Sequence, residues 1–251
     1  SRVAAPVNMI WPEKRVIHGE PVMVPVVYLT STTVSQRKVS EHTVELGGYI
    51  DVNSISLRGV DVAAVRDTYI NTVNGIRLKG TSIEGTGNLT INTQGNIELL
   101  SGIISSTGNL EIGAHNLTSQ TIVYRFDDKG VQGTRYDRIS SIGSQNGSVN
   151  ITTTGNISIV GTQVYAGQTL TFDAGGNIYL GAQQLASSST IAGGGWRGET
   201  SSVDYLQTTL TAGETLSLIA AGQIVIDAAE LVSSRGHIEI LAGLGVTIEE
   251  E

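Results

Sequence analysis

Gly87-Asn88-Leu89-Thr90-Ile91-Asn92-Thr93-Gln94-Gly95-Asn96-Ile97-Glu98-Leu99 continues through Gly102-Ile103-Ile104-Ser105 to Gly108-Asn109-Leu110-Glu111-Ile112. Apolar residues alternate within each short unit, as Leu89/Ile91, Ile97/Leu99 and Leu110/Ile112. Alternation with period two is the mark of a strand with one buried face. Each unit opens on Gly or Gly-Asn, read here as a corner where Gly supplies positive φ and Asn tolerates it. The pattern returns in Gly155-Asn156-Ile157-Ser158-Ile159 and Gly176-Asn177-Ile178-Tyr179-Leu180, and more loosely in Gly222-Gln223-Ile224 and Gly236-His237-Ile238.

The glycine spacing decides the architecture. Gly87 to Gly95 is 8 residues and Gly95 to Gly108 is 13, a period of 21. Gly147, Gly155 and Gly167 give 8 and 12, and Gly213, Gly222 and Gly236 give 9 and 14. The longer interval holds a third apolar segment, such as Gln163-Val164-Tyr165 or Leu231-Val232-Ser233. Three strands in about 20 residues predict one coil of a parallel β-helix, right-handed by the crossover rule. Antiparallel hairpins would lack this three-strand period. The stretch from residue 87 onward predicts roughly six coils, and Ile50–Ile83 weaker ones; at ~4.8 Å per coil the rod is about 40 Å long.

The expected organisation is a cap or junction over residues 1–45 and a β-helix over 46–251, with insertions near 122–142 and 185–206. All four prolines, Pro6, Pro12, Pro21 and Pro25, fall in the first segment, where Val22–Leu29 reads as an edge strand. The first insertion reads as a charged hairpin around Asp128-Lys129-Gly130. The second, with Ser187-Ser188-Ser189, Gly193-Gly194-Gly195 and Trp196, reads as a flexible loop.

Composition narrows the function. Aromatic residues are 5% against 39% hydrophobic, so the core is aliphatic. The net charge of −8 argues against nucleic acid and against a polybasic membrane contact. There is no cysteine, hence no disulfide and no Cys-based metal site. His18, His42, His115 and His237 lack ligand spacing, so neither metal nor cofactor is expected. The chain opens on Ser1-Arg2-Val3 without a signal peptide and reads as a segment of something larger.

Gly155-Asn156-Ile157-x-Ile159-x-Gly161-Thr162-Gln163-Val164-x-Ala166-Gly167 resembles the repeats of filamentous haemagglutinin-like exoproteins. So does Gly175-Gly176-Asn177-Ile178-Tyr179-Leu180-Gly181-Ala182-Gln183-Gln184-Leu185-Ala186-Ser187-Ser188-Ser189, where Ala-Gln before a serine run is the more specific part. Ile10-Trp11-Pro12 and Val24–Leu29 are similar to the segment leading into the second haemagglutinin-type region. The resemblance implies a secreted β-helical protein at the surface of a Gram-negative bacterium, exported by an outer-membrane transporter of the two-partner route. Family members are adhesins or stalks of contact-dependent growth-inhibition toxins, so the implied partner is a host or neighbouring bacterial cell surface.

Two classes of site are open to such a rod. A polysaccharide lyase or hydrolase needs outward acids on neighbouring coils. The outward positions on the first strand are Thr90, Glu111, Asn150, Thr171, Ser217 and Glu239, which form no carboxylate column. Recognition by an exposed loop on a rigid scaffold points instead to the insertions. The candidate contact residues are Tyr124, Arg125, Phe126, Asp127, Asp128, Arg135, Tyr136, Arg138 and Trp196. Asn88 and Asn109 at one corner, and Asn96, Asn156 and Asn177 at another, are expected to stack as a hydrogen-bonded ladder.

Overall fold

The computed structural model describes residues 14–17, 20–23, 36–40, 43–128, 131–193 and 196–249. Among them there is no helix; the body is a parallel β-solenoid with about 21 residues per turn. Each turn lays one strand on each of three faces. The first face carries Leu89–Thr93, Leu110–Ala114, Val149–Thr153, Leu170–Ala174, Leu216–Ala220 and Ile238–Ala242. Before them come the second halves of Thr43–Val52 and Asp61–Thr72, whose first halves turn the corner from the third face. The second face is an eight-stranded parallel sheet from Ile55–Arg58 to Gly245–Glu249. The third runs through Ser82–Gly85, Ile103–Ser106, Ser140–Ser144, Thr162–Ala166, Thr208–Ala212 and Ala229–Ser233.

The alternation read from the sequence puts like residues above one another. Ile50, Ile70, Ile91, Ile112, Ile151, Phe172 and Leu218 form one inner column of the first face. Ile55, Ile76, Ile97, Leu117, Ile157, Ile178 and Ile224 form one on the second. Val62, Ile83, Ile104, Ile142, Val164 and Leu210 form the third. All are essentially inaccessible to solvent. Each such side chain contributes about 1.5–3 kcal/mol relative to exposure. At the far end Ile238, Val246 and Ile248 have no rung above and stay 41%, 45% and 68% exposed. At the near end Gln36–Ser40 runs antiparallel to Thr43–Leu46 and covers that strand's edge. Glu20–Met23 pairs with Lys14–Ile17, so only the start of the expected Val22–Leu29 strand lies within the described residues, and Pro12 and Pro25 lie outside them.

The glycines of the Gly-Asn units have a different reason from the one expected. Among the described residues the positive-φ glycines are Gly48, Gly59, Gly75, Gly80, Gly161 and Gly245, none of which opens a Gly-Asn unit. What those units need is space. A Cβ on Gly108 would stand 2.5 Å from Asn88 Oδ1, and one on Gly147 would stand 2.5 Å from Asn109 Oδ1. Gly155, Gly176 and Gly222 meet the amide oxygens of Asn116, Asn156 and Asn177 in the same way. The asparagine of one rung tucks its oxygen under the glycine of the next, where it accepts a backbone N–H. Asn109 N donates to Asn88 Oδ1 at 2.8 Å, Asn177 N to Asn156 Oδ1 at 2.8 Å and Gln223 N to Asn177 Oδ1 at 2.8 Å. His115 occupies a glycine position in one rung. There Asn96 Oδ1 receives the side-chain amide of Asn116 at 3.0 Å instead of a backbone N–H.

Candidate interaction surface

Both insertions leave the rod at the corner between the second and third faces. The first departs after Leu117–Gln120 and rejoins at Ser140; the second departs after Ile178–Gly181 and rejoins at Thr208. The intervening turn passes the same corner through one residue, Gly161, at φ 54°. A buried set of hydroxyls closes this corner, because chains diverging from the rod abandon their ladder partners. Ser119 takes an inner position that Leu99 and Ile159 fill on adjacent rungs. Its Oγ lies 2.7 Å from Ser140 Oγ and 3.0 Å from Thr162 Oγ1. Thr121 Oγ1 accepts Ser140 N at 2.8 Å, and Thr208 Oγ1 donates to Gly181 O at 2.6 Å.

Outside the rod the insertions join. Tyr124–Asp128 pairs with Val131–Arg135, and Gln183–Gly193 with Trp196–Leu206, all antiparallel. The hairpin expected around Asp128 has these strands; Lys129 and Gly130 lie outside the described residues. The second insertion is not a loop but a hairpin of two 11-residue strands. Its serine run is the reason. Ser187, Ser188 and Ser189 pair with Gly133, Gln132 and Val131 on one side and with Ser202, Ser201 and Thr200 on the other. A central strand needs both edges paired, and small hydroxylated side chains pack on both its faces. Ser187 Oγ to Ser202 Oγ and Ser189 Oγ to Thr200 Oγ1 are both 2.7 Å. Gln183, of the Ala-Gln pair, accepts Gln120 Nε2 at 2.8 Å and ties the bases of the two hairpins.

The four-stranded sheet sorts the candidate contact residues. Successive side chains alternate between faces, so Tyr124, Phe126 and Asp128 point one way and Arg125 and Asp127 the other. Arg135 lies opposite Tyr124 in register and shares its face. Phe126 lies against Gly133, where a Cβ would stand 2.9 Å from Phe126 Cε1. Tyr136 follows the strand and is exposed. Arg138 is at the root of the hairpin, with Nη1 3.6 Å from Asp61 Oδ1 on the rod. Trp196 pairs through its backbone with Gly193; its side chain lies outside the described residues. On the Arg125 face a trough of about 520 Å³ crosses all four strands. Its walls are the row Asp127, Gln132, Ser188, Ser201 and the row Arg125, Thr134, Ala186, Val203; the backbone between them is the floor. Gln132 Nε2 donates to Asp127 Oδ2 at 2.7 Å, which fixes both in the wall.

On the rod, the second face carries an Arg77–Glu98 ion pair at 3.0 Å. On the third, Tyr165 lies over Gly143 and reaches Ser105. Burial, with Glu84 nearby, raises its phenol above the ordinary value of 10.0, against a smaller opposing hydrogen bond from Ser105. The first face has a depression of about 350 Å³ centred on Gly113, between Asn92 and Thr152. Glu111 and Asp173 flank it, two rungs apart and offset along the strand, about 12 Å by strand geometry. A glycosidase pair stands roughly 5–9.5 Å apart. Among the described residues no group of three or more His, Asp or Glu is placed to hold a metal ion.

Asn116 and Asp67 were missed as corner residues. Asp67 Oδ1 accepts Asn88 N at 2.8 Å and Asn116 Oδ1 accepts Asn156 N at 2.7 Å. The available signal was the following triplet: Asn116-Leu117-Thr118 repeats Asn88-Leu89-Thr90 without the leading glycine.

Residues 129–192 match the family described as the hemagglutinin repeat. The match takes in Val131–Arg135 of the first hairpin and nearly all of Gln183–Gly193 of the second. No curated protein and no solved structure matches the chain.

Proposed function

We propose, from a hemagglutinin repeat and a parallel β-solenoid that fit a filamentous haemagglutinin-like protein, that this segment is a non-catalytic rod holding a recognition sheet out from its flank. The hemagglutinin-repeat family points to a secreted or cell-surface protein. The finer reading is an adhesin or toxin-delivery stalk of a Gram-negative bacterium, touching a host or neighbouring bacterial cell. One observation carries it: two insertions, separate in sequence, pair into a single four-stranded sheet with its own trough. Rigid scaffolds that support binding concentrate it in such projecting segments.

The rod also suits export through an outer-membrane transporter. With no cysteine, no disulfide has to form. Each rung packs on its neighbours, so folding propagates turn by turn as chain emerges. The competing reading, a carbohydrate-active β-helix enzyme, requires a carboxylate pair closer than Glu111 and Asp173.

The test is binding of the fluorescently labelled chain to candidate target cells, before and after Arg125→Ala with Gln132→Ala. Loss of cell binding at unchanged melting temperature supports the sheet as the contact surface. Unchanged binding removes it from that role.

A further inference from the structure

We propose that the second face of the rod is a self-complementary interface, through which two copies of this chain pair face to face with their axes antiparallel. The interface is independent of the lateral sheet.

Charge on this face is sorted along the rod. The outward column nearest the third face opens on Arg58 and Lys79, one directly above the other. It closes on Asp227 and Glu249, stacked in the same way. The four rungs between carry Leu100, Gln120, Val160 and Gly181, none of them charged. Asp227 joins the column because Ile226 lies over Leu180, which precedes Gly181. Arg58 and Glu249 are exposed, Lys79 and Asp227 half-buried. Among the described residues none of the four has a salt-bridge partner within the chain. Asp227 accepts Tyr179 Oη at 3.0 Å through one of its two oxygens. Like charges on adjacent strands repel, so each pair gains from a surface of opposite sign. The same face carries that surface at its other end.

A two-fold axis lying along the strands, between the rungs of Gln120 and Val160, reverses the rod and sets each column over itself. The first of the eight rungs then faces the eighth, and the second faces the seventh. Arg58 of one copy meets Glu249 of the other and Lys79 meets Asp227, each twice by symmetry. The neighbouring outward column accepts the same reversal without a like-charge pair. Its internal ion pair, Arg77–Glu98, falls opposite Val225 and Tyr179, and Thr118 falls opposite Ser158. Shifting the register by one rung keeps only one of the two charge matches. Turning the rods parallel sets the basic rungs against each other. Charge therefore selects one orientation and one register.

Sheets pack about 10 Å apart face to face, a gap that the stems of Arg58 and Lys79 cross. The strip is about 34 Å long at ~4.8 Å per rung and about 13 Å wide. Pairing buries about 900 Å² in total, the size of a weak and reversible association. Because exposed ion pairs fix its geometry, salt dissociates it.

The test is sedimentation equilibrium of the 251-residue chain, up to about 0.5 mM, in about 50 mM and about 500 mM NaCl. The average mass is expected to approach two chains at low salt and to return to one at high salt. Arg58→Glu with Lys79→Glu is monomeric, and so is Asp227→Lys with Glu249→Lys, both at the parent's melting temperature. An equimolar mixture of these two double variants restores the dimer, because every reversed charge then meets its complement. If Asp227→Lys melts early through loss of the Tyr179 contact, Arg58→Glu mixed with Glu249→Lys makes the same test. Arg125→Ala with Gln132→Ala, on the lateral sheet, leaves the association unchanged. A monomer at low salt overturns the proposal, as does a mixture that fails to re-form the dimer. Association that persists at high salt also overturns it and points instead to end-to-end pairing through the exposed last rung.

Discussion

The chain has two phenylalanines, and they stand in the two regions that matter. Phe172 is fully buried in an inner column of the rod, between Ile151 and Leu218. Phe126 is half-buried on the lateral sheet, lying against Gly133. The rod is held by burial that repeats on every rung. Among the described residues the sheet is held mainly by backbone pairing and hydroxyl contacts. Low-stability units of this kind are where proteins place surfaces that adapt on binding. In the proposed function the rod supplies position and the sheet supplies the contact surface.

The largest expected effect tests the rod. Phe172→Ala should destabilise it by about 3–5 kcal/mol, read as a shift in the denaturant midpoint; a loss below about 1 kcal/mol would mean the column collapses around the gap. Next is Gly176→Ala, which drives a Cβ into Asn156 Oδ1 and should cost about 1–3 kcal/mol, as overpacking does. Combined with Asn156→Ala it should cost less than the sum of the two single changes, because the clashing atom is gone. Strict additivity would refute clearance as the reason for glycine. Phe126→Ala should leave the rod's main transition within about 0.5 kcal/mol. It should instead speed amide exchange at Gly133 and Ala186, and an equal loss in the main transition would erase the distinction between the regions.

The smallest effect concerns Tyr165. Its phenol has a raised folded-state pKa, so the folded state keeps the proton that the unfolded state releases near 10. This contribution is complete below the unfolded value and is lost as pH rises through it toward the folded one. Tyr165→Phe should therefore melt with a shallower fall between about pH 9 and pH 11 than the parent. Parallel curves would show that the phenol is not held neutral.

Much of the fold was legible because a solenoid repeats its instructions. The period of about 21, the inner columns and six rungs after residue 87 all come from local alternation and glycine spacing. The reason for the glycines was not legible. Steric clearance depends on which residue lies one rung below, and a local reading sees only the corner itself. The second insertion read as a loop because Ser187-Ser188-Ser189 and the glycines after it look like loop composition. The partner that makes them a central strand, Val131–Gly133, is more than fifty residues away and leaves no period. The contact cluster read as one patch because sequence proximity hides alternation, which sends Phe126 and Arg125 to opposite faces. Asn116 escaped because His115 precedes it.

The corner crossed by Gly161 has one more consequence. Elsewhere in the rod, duplicating a rung would lengthen it without separating the two hairpins. Between Ser140 and Gly181 that freedom is gone. An added turn there would move the roots of the two hairpins apart by ~4.8 Å, a full strand spacing, and part Val131–Gly133 from Ser187–Ser189. Rod length can thus change elsewhere without parting the sheet, whereas a change within this block would part it, and the matched residues 129–192 span it.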